Sequence, residues 1–109
     1  MAQRGRGTFA RVRPLGFDWD DEKAESNVAK HGVGFEETMT VFDDDHAAIR
    51  DDPDRSIGEH REIIVGRSGT GRTLLVSLME RGDVIRLINA RTATSHERKL
   101  YEEKLNKEV

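Results

Sequence analysis

A stretch near the end of the sequence combines side chains that could act on a phosphate group. Residues 84–101 read VIRLINARTATSHERKLY, so Arg86 and Arg91 lie on a strand pattern, whereas Arg98 and Tyr101 lie on a helix pattern. Guanidinium groups stay charged and match the geometry of phosphate oxygens. Because the whole chain carries a formal net charge of -3, cations gathered here point to a partner that bears phosphate.

The second arginine on the strand pattern, Arg91, follows the first, Arg86, by five positions, which is an odd number. Alternation of side chains along a strand predicts that Arg86 and Arg91 face opposite sides of the sheet, so we expect them to have different roles. A simpler alternative stays open, in which Arg91 and Arg98 form surface ion pairs with acids such as Glu97 or Glu102.

Histidine is the natural candidate for proton transfer, since imidazole exchanges a proton near neutral pH. His31 stands at the predicted end of a helix, where a cation is also favoured as a cap. His60 stands beside Arg61 where a strand begins, and only one of these two neighbours can face a site on that strand. His31 and His60 are therefore the two candidates, ahead of His46 and His96.

Two further motifs resemble ligand sites and are better explained as turns. Residues 66–73 (GRSGTGRT) approach a phosphate-binding P-loop, but Arg72 replaces the lysine and a strand pattern follows where a helix is required. Residues 43–46 (DDDH) offer metal ligands that point in different directions, and residues 52–58 miss the spacing of a calcium loop. The sequence therefore predicts a glycine-rich hairpin, no metal and no other cofactor.

The composition bounds the class of protein. A length of 109 residues predicts one small domain. The absence of cysteine excludes disulfide bonds and thiolate zinc sites, and it is compatible with the cytoplasm. The longest apolar run, 74–79, is too short to cross a bilayer, and the N-terminus lacks the apolar segment of a secretory signal. We expect a cytoplasmic protein with no membrane partner.

Charge is unevenly distributed along the chain. Residues 1–16 carry four arginines and no acid, residues 17–62 carry 15 acidic against 5 basic residues, and residues 63–109 carry 6 acidic against 9 basic ones. The first segment is glycine-rich and lacks a periodic pattern, so we expect a flexible basic extension or a remnant of the expressed chain. Residues 17–109 then form the folded domain.

Periodicity and turn residues predict an α+β fold. Helices are expected at 21–30 behind the N-cap Asp20, at 35–42, and from a Thr94–Glu97 capping box to about residue 106. Strands are expected at 17–19, 47–50, 61–65, 73–80 and 84–90. We predict a small antiparallel sheet of about four to five strands with two N-terminal helices and one C-terminal helix.

An ordered set of segments resembles the BrnT toxin family over about residues 17–105. These segments read FDWD at 17–20, NVAKHGVGFEE at 27–37, VFDD at 41–44, DDPD at 51–54, GRS at 66–68, IRLINAR at 85–91 and ERKLY at 97–101. The family usually has serine where this chain has Gly34, a substitution that a helix N-cap tolerates. It also starts near Phe17, which leaves residues 1–16 outside the resemblance.

The resemblance implies a RelE-like fold and a role as the toxin of a bacterial type II toxin–antitoxin pair. Such a toxin is a ribonuclease that inhibits translation, and a BrnA-like antitoxin that binds DNA neutralises it. The expected partners are an RNA substrate and this antitoxin, and a dimer within their complex is compatible with the resemblance. A non-catalytic interaction or nucleic-acid-binding module is the alternative function.

Metal-independent cleavage of RNA to a 2′,3′-cyclic phosphate needs a base for the 2′-OH, cations for the phosphate and an acid for the departing 5′ oxygen. We expect Arg86 and Arg91 to stabilise charge on the phosphate. His31 or His60 is expected to transfer the proton, and Arg61, beside His60, is a further catalytic candidate.

Four other residues are expected to hold the RNA. Arg67 and Arg98 supply positive charge, and Tyr101 and Trp19 offer rings on which an unpaired base can stack. For Trp19, packing in the core is the simpler role.

Overall fold

A computed structural model describes residues 16–52 and 60–108, with side chains up to residue 105. The extension predicted at 1–16 therefore lies outside the described residues except for Gly16, and so does most of the stretch 52–58. Over the described residues the elements are β1 Gly16–Asp18, α1 Asp21–His31, α2 Phe35–Met39, a 3₁₀ turn Thr40–Asp43, β2 Ala48–Asp51, β3 Glu62–Arg67, β4 Thr73–Arg81, β5 Val84–Thr92 and α3 Ser95–Glu108.

One five-stranded sheet organises the chain in the order β1-β5-β4-β3-β2. The strands β2 to β5 pair antiparallel through successive neighbours. For β3, β4 and β5 the short glycine-bearing connections predict this pairing. The short strand β1 pairs parallel with β5. The predicted α+β class is confirmed, and the sheet is mixed because β1 joins β5 from a distant part of the chain, where no hairpin dictates its direction.

Local sequence fixes the first helix. The carboxylate of Asp20 accepts hydrogen bonds from the backbone N–H groups of Glu22 (2.8 Å) and Lys23 (3.2 Å), which otherwise lack partners in the first turn. The helix ends at Gly32, whose positive φ of 69° suits glycine, and the Gly32 N–H donates to the carbonyl of Val28. Helix α1 therefore has the predicted span with one additional residue.

The second helix is shorter than predicted. A single helix was expected at 35–42, but α2 ends at Met39 and the chain tightens into a 3₁₀ turn. The hydroxyl of Thr38 donates to the carbonyl of Gly34 and that of Thr40 to the carbonyl of Glu37. Such bonds compete with the regular helix ladder and favour its termination.

The core lies between the two N-terminal helical segments and one face of the sheet, which we call the inner face. Its members include Val33, Phe35, Val41, Phe42, Ile64, Leu74, Val76, Leu78, Ile85 and Leu87. Phe35 is 1% exposed, and burial of a phenylalanine side chain stabilises a fold by about 2 to 3 kcal/mol. Trp19 packs edge-on against Phe35 with ring centroids 5.6 Å apart, so it holds the segment between β1 and α1 to the core.

A β-bulge in β5 changes which side chains share a face. The β4 residues Leu75 and Met79 pair with Arg91 and Arg86, so the five residues 75–79 of β4 lie opposite the six residues 86–91 of β5, and Ile88 is the additional residue. Arg86 and Arg91 therefore lie on the same face. The prediction of opposite faces was wrong because strict alternation holds only in a regular ladder.

Helix α3 lies against the opposite face of the sheet, which we call the outer face. One row of this face runs from Arg91 through Leu75 and Val65 to Ala48 across four strands. The capping box predicted for α3 is present, since the Thr94 N–H donates to Glu97 Oε1 (2.9 Å) and the Glu97 N–H donates to Thr94 Oγ1 (3.1 Å). No helix among the described residues is long and apolar enough to span a membrane.

The glycine-rich segment 66–73 contains a β-hairpin connection, as predicted, with residues 68–72 between the ends of β3 and β4. The second of its two arginines, Arg72, is bound to the carboxylate of Glu37, which also accepts from the hydroxyls of Ser68 (2.7 Å) and Thr70 (2.6 Å). These bonds, led by the one from Arg72, lower the pKa of Glu37 to about 2. A segment held this way joins the hairpin to α2 and does not form a phosphate nest.

Candidate functional site

A polar cleft of about 350 Å³ lies where α1 meets β5. Its lining residues come from α1, from β5 and from the residue that precedes β3, and they are Lys23, Ser26, Asn27, Lys30, His31, Arg61, Ile88 and Asn89. Two lysines, an arginine and a histidine stand among them, and no described carboxylate lines the cleft. The cleft therefore presents a positive field to an anion, although the chain as a whole is acidic.

Helix periodicity positions the residues that α1 contributes. Lys23, Ser26, Asn27 and Lys30 follow the i, i+3, i+4, i+7 spacing of one helix face, and His31 ends the helix beside them. The lysines and His31 are exposed, whereas Asn27 is only 4% exposed. One face of α1 thus combines an anchor at its centre with cations on either side.

The anchor is the side-chain amide of Asn27. Its oxygen accepts from the N–H of Ala90 (3.0 Å), and its nitrogen donates to the carbonyls of Ala90 (2.8 Å) and Val33 (2.9 Å). The strand β1 pairs only with positions 84–86 of β5, so among the described residues Asn27 takes the place of a neighbouring strand at Ala90. This contact fixes α1 against the bulged part of β5 and so defines one wall of the cleft.

Of the predicted catalytic residues, the structure brings His31 and Arg61 together. His60, the neighbour of Arg61, lies outside the cleft, with its Nε2 2.9 Å from Asp51 Oδ1. The opposite placement of these two neighbours agrees with the expectation that only one of them can face a site.

The two predicted phosphate-binding arginines of β5 have acidic partners. Arg86 lies 3.4 Å from Asp18, across the parallel pairing of β1 with β5. Arg91 donates two hydrogen bonds to Glu97, of 2.8 and 2.9 Å, and these lower the pKa of Glu97 to about 2. The ion-pair alternative for Arg91 is therefore what the structure shows, and neither arginine lines the cleft.

The four residues predicted to bind RNA lie elsewhere. Arg67 stands 5.8 Å over the ring of Tyr101 and 3.7 Å from Glu102, which also lies 3.8 Å from Arg98. Tyr101 is 5% exposed and its hydroxyl donates to Asp44. Burial first, and then this bond to Asp44, raise the pKa of Tyr101. The ring of Tyr101 is therefore engaged within the fold, whereas Trp19 is half-buried and packs against the core.

Sequence reasoning missed Lys23, Asn27 and Lys30, although they carry a readable signal. Their i, i+4, i+7 spacing places them on one helix face, and a helix with an asparagine at the centre of that face has a polar group to bury. The partner strand of that face could not be read from spacing alone, because the bulge at Ile88 is not visible in the apolar pattern of β5.

The acidic motif at 43–46 has a structural role. The Asp44 carboxylate accepts from the backbone N–H groups of His46 (2.9 Å) and Arg67 (2.7 Å) as well as from Tyr101. A different group, Asp51, His60 and Glu62, brings its ligand atoms within 4.8 Å of one another. Two carboxylates and an imidazole are suitable donors for a divalent cation, so metal dependence has to be tested by experiment.

Comparison with known proteins supports the resemblance. A sequence profile of the family described as "Ribonuclease toxin, BrnT, of type II toxin-antitoxin system" matches residues 19–97, well over half of the chain. No curated protein matches. The crystal structure of the Brucella abortus ribonuclease toxin BrnT is similar, with a TM-score of 0.52, 21% identity, and coverage of 74% of this chain and 99% of that chain. The chain belongs to the BrnT family of ribonuclease toxins of type II toxin–antitoxin systems.

Proposed function

We propose that this chain cleaves RNA in the cleft between α1 and β5, without a metal ion. The observation that carries the proposal is the meeting of His31 with Lys23, Lys30 and Arg61 around one cavity of about 350 Å³. A phosphodiester with its neighbouring ribose is anionic and rich in hydroxyl groups, and the cleft offers cations, amides and a hydroxyl to match it. The site thus differs from the one expected on β5.

The proposed reaction is transfer of the phosphate within the RNA strand. The neutral imidazole of His31 takes the proton from a 2′-OH, whose oxygen forms a bond to the adjacent phosphorus. The bond from phosphorus to the 5′ oxygen breaks, and that oxygen takes a proton from an ammonium group of Lys23 or Lys30. The products are a 2′,3′-cyclic phosphate on one fragment and a 5′-OH on the other.

Arg61 has the role of holding the phosphate in this scheme. It lines the same cleft as Lys23 and Lys30 but comes from a different element, the residue before β3, so its guanidinium and the two ammonium groups can share one bound phosphate. Such cations stabilise the additional negative charge of the transition state more strongly than that of the substrate. The amide of Asn89 and the hydroxyl of Ser26 complete the wall and supply hydrogen bonds to ribose or base.

Cleavage of defined RNA by the purified chain tests this proposal. We expect cleavage to proceed in EDTA, to stop when the 2′-OH at the cleaved position is replaced by hydrogen, and to leave a cyclic phosphate. Loss of cleavage in EDTA with recovery on addition of a divalent cation would contradict the metal-free reaction and would turn attention to Asp51, His60 and Glu62. A chain that folds and leaves all RNA intact would contradict the ribonuclease itself.

We further infer that cleavage inhibits translation in the cytoplasm and that a BrnA-like, DNA-binding antitoxin reverses it. Family membership supports this inference, because a type II toxin is paired with a protein antitoxin. Induced expression of the chain in bacteria should stop incorporation of labelled amino acids, and co-expression of the protein encoded beside its gene should restore it. Normal incorporation during expression of the folded chain would contradict this role.

A further inference from the structure

A second cavity lies on the outer face of the sheet, between this face and α3. It has a volume of about 250 Å³ and its lining residues are Ala48, Arg50, Val65, Leu75, Glu97, Leu100, Tyr101 and Lys104. We call it the α3 groove. The sheet contributes one continuous apolar row, because Ala48 is opposite Val65 and Val65 is opposite Leu75. The α3 residues follow the i, i+3, i+4, i+7 spacing of one helix face.

The α3 groove contains an apolar side chain that remains in contact with water. Leu100 is 53% exposed, and the other large hydrophobic residue exposed to this degree in the described ranges is Val28, at 52%. Val28 lines neither of the two cavities, whereas Leu100 borders an apolar row on the sheet. An exposed apolar side chain within a groove marks an interaction surface more strongly than an isolated one does.

The charges around the α3 groove favour an acidic partner. Arg50 and Lys104 line it, and Arg50 is exposed. The carboxylate that lines the α3 groove, Glu97, already receives two hydrogen bonds from Arg91. A segment that carries carboxylates next to an apolar residue would therefore match both the charge and the apolar row.

The position of the groove relative to the cleft suggests what such a segment would achieve. The next row of the outer face runs from Arg50 through Ile63 and Ser77 to Asn89, and Asn89 lines the cleft. Three strand spacings separate the two ends of this row, about 14 Å. An extended chain covers that distance with about four to five residues.

We propose that the α3 groove binds a short segment of the antitoxin that carries an apolar side chain flanked by carboxylates. The apolar side chain packs between Leu100 and Val65, and carboxylates that follow it reach the cations of the cleft. The segment thereby competes with RNA phosphate while its anchor lies outside the catalytic residues. The inference rests on the proposed function in two respects, namely that an antitoxin neutralises the chain and that RNA binds in the cleft.

The test measures binding of the purified antitoxin, meaning the protein encoded beside the gene, to the full-length chain by calorimetry. Leu100→Glu places a charge in the groove, and Val28→Glu makes the same change at an equally exposed site outside it. We expect Leu100→Glu to raise the Kd about tenfold or more and Val28→Glu to change it by less than about twofold. Arg50→Glu should also weaken binding, and this weakening should diminish at high salt.

RNA cleavage without antitoxin is measured on the same variants. All three should cleave at the wild-type rate, and inhibition of Leu100→Glu should need about tenfold more antitoxin. An unchanged Kd for Leu100→Glu, or equal weakening by Val28→Glu, would overturn the proposal. Conversion of a wild-type homodimer to a monomer by Leu100→Glu, with antitoxin binding intact, would assign the groove to a second copy and also overturn it. Inactive wild type with normal antitoxin binding would contradict the ribonuclease and leave the groove assignment standing.

Discussion

Asn27 pairs with Ala90 as a strand residue would, although it belongs to a helix. Its amide accepts from the Ala90 N–H at 3.0 Å and donates to the Ala90 carbonyl at 2.8 Å. These bonds satisfy backbone groups of β5 beyond the end of β1, and they place the cations of α1 beside the sheet. The geometry of the cleft therefore depends on a residue that needs no part in the chemistry.

Replacement of Asn27 tests this dependence. Asn27→Asp keeps the shape but loses both donor bonds, to Ala90 and Val33, and it buries a negative charge against two carbonyl oxygens. We expect the free energy of unfolding to fall by about 2 to 4 kcal/mol in urea titrations. Ser26→Ala, a change at the adjacent position on the same helix, should cost less than about 1 kcal/mol. Equal effects of the two changes would show that the bonds to Ala90 contribute little.

Glu37 makes part of the stability dependent on pH. Its pKa is about 2 in the folded chain against an ordinary 4.5, chiefly because Arg72 donates to its carboxylate. A carboxyl whose pKa is lowered on folding stabilises the folded chain at pH values above its pKa in the unfolded chain. This stabilisation is lost as the pH falls from about 4.5 towards 2. The contribution is at most roughly 3 kcal/mol near neutrality.

Comparison of Glu37→Gln with wild type isolates this effect. The difference in unfolding free energy should be largest near neutral pH and should shrink as the pH falls below about 4.5, because the unfolded chain then takes up a proton on this carboxyl while the folded chain keeps it ionised down to about pH 2. Glu36→Gln, at the exposed neighbouring position, is the matched control and should change the free energy of unfolding by less than about 0.5 kcal/mol. A Glu37→Gln difference that stays constant on acidification would contradict the assignment.

The core elements were predicted well because their signals are local. The Asp20 cap, the Gly32 terminus and the capping box of Thr94 with Glu97 are all determined within a few residues of the chain, and all are present. The parallel pairing of β1 with β5 and the bulge at Ile88 depend on contacts distant in sequence. Local alternation cannot reveal either of them.

The candidate site, too, was predictable where residue type decides and not where contacts distant in sequence decide. His31 and Arg61 were identified from their chemistry, and the structure places both in one cleft. The arginines of β5 have the same chemistry, and only the fold shows that Asp18 and Glu97 lie beside them. Residue type thus indicates which groups could act, whereas the ion pairs decide which cations are already engaged.

The pairing of Arg91 with Glu97 can be measured by a double-mutant cycle on unfolding free energy. Both side chains are about one third exposed, and the two parallel bonds favour a coupling of about 1 kcal/mol. The pair Arg98–Glu102, at 3.8 Å and half exposed, serves as the comparison, with an expected coupling of about 0.3 kcal/mol. Coupling energies in the reverse order would show that Arg91 is not held by Glu97 in solution.

Tyr101 is the only tyrosine, so its ionisation can be followed by ultraviolet absorbance. Burial and the bond to Asp44 raise its pKa above the ordinary 10, so phenolate should not appear in the folded chain at that pH. Because its pKa is raised on folding, the protonated Tyr101 stabilises the folded chain fully below pH 10, and this stabilisation declines as the pH rises further. Phenolate formation at the ordinary pH by a chain that is still folded would contradict the buried position of the hydroxyl.

The central claim is that the cleft, and not the arginines of β5, cleaves RNA. The most direct test is the single-turnover rate of cleavage of a short RNA by His31→Ala and Arg61→Ala, beside the exposed control His96→Ala and beside Arg91→Ala. We predict losses of about hundredfold or more for the two cleft variants, less than about threefold for His96→Ala, and little loss for Arg91→Ala once folding is verified. Wild-type rates for His31→Ala and Arg61→Ala, with a large loss for Arg91→Ala, would contradict the account.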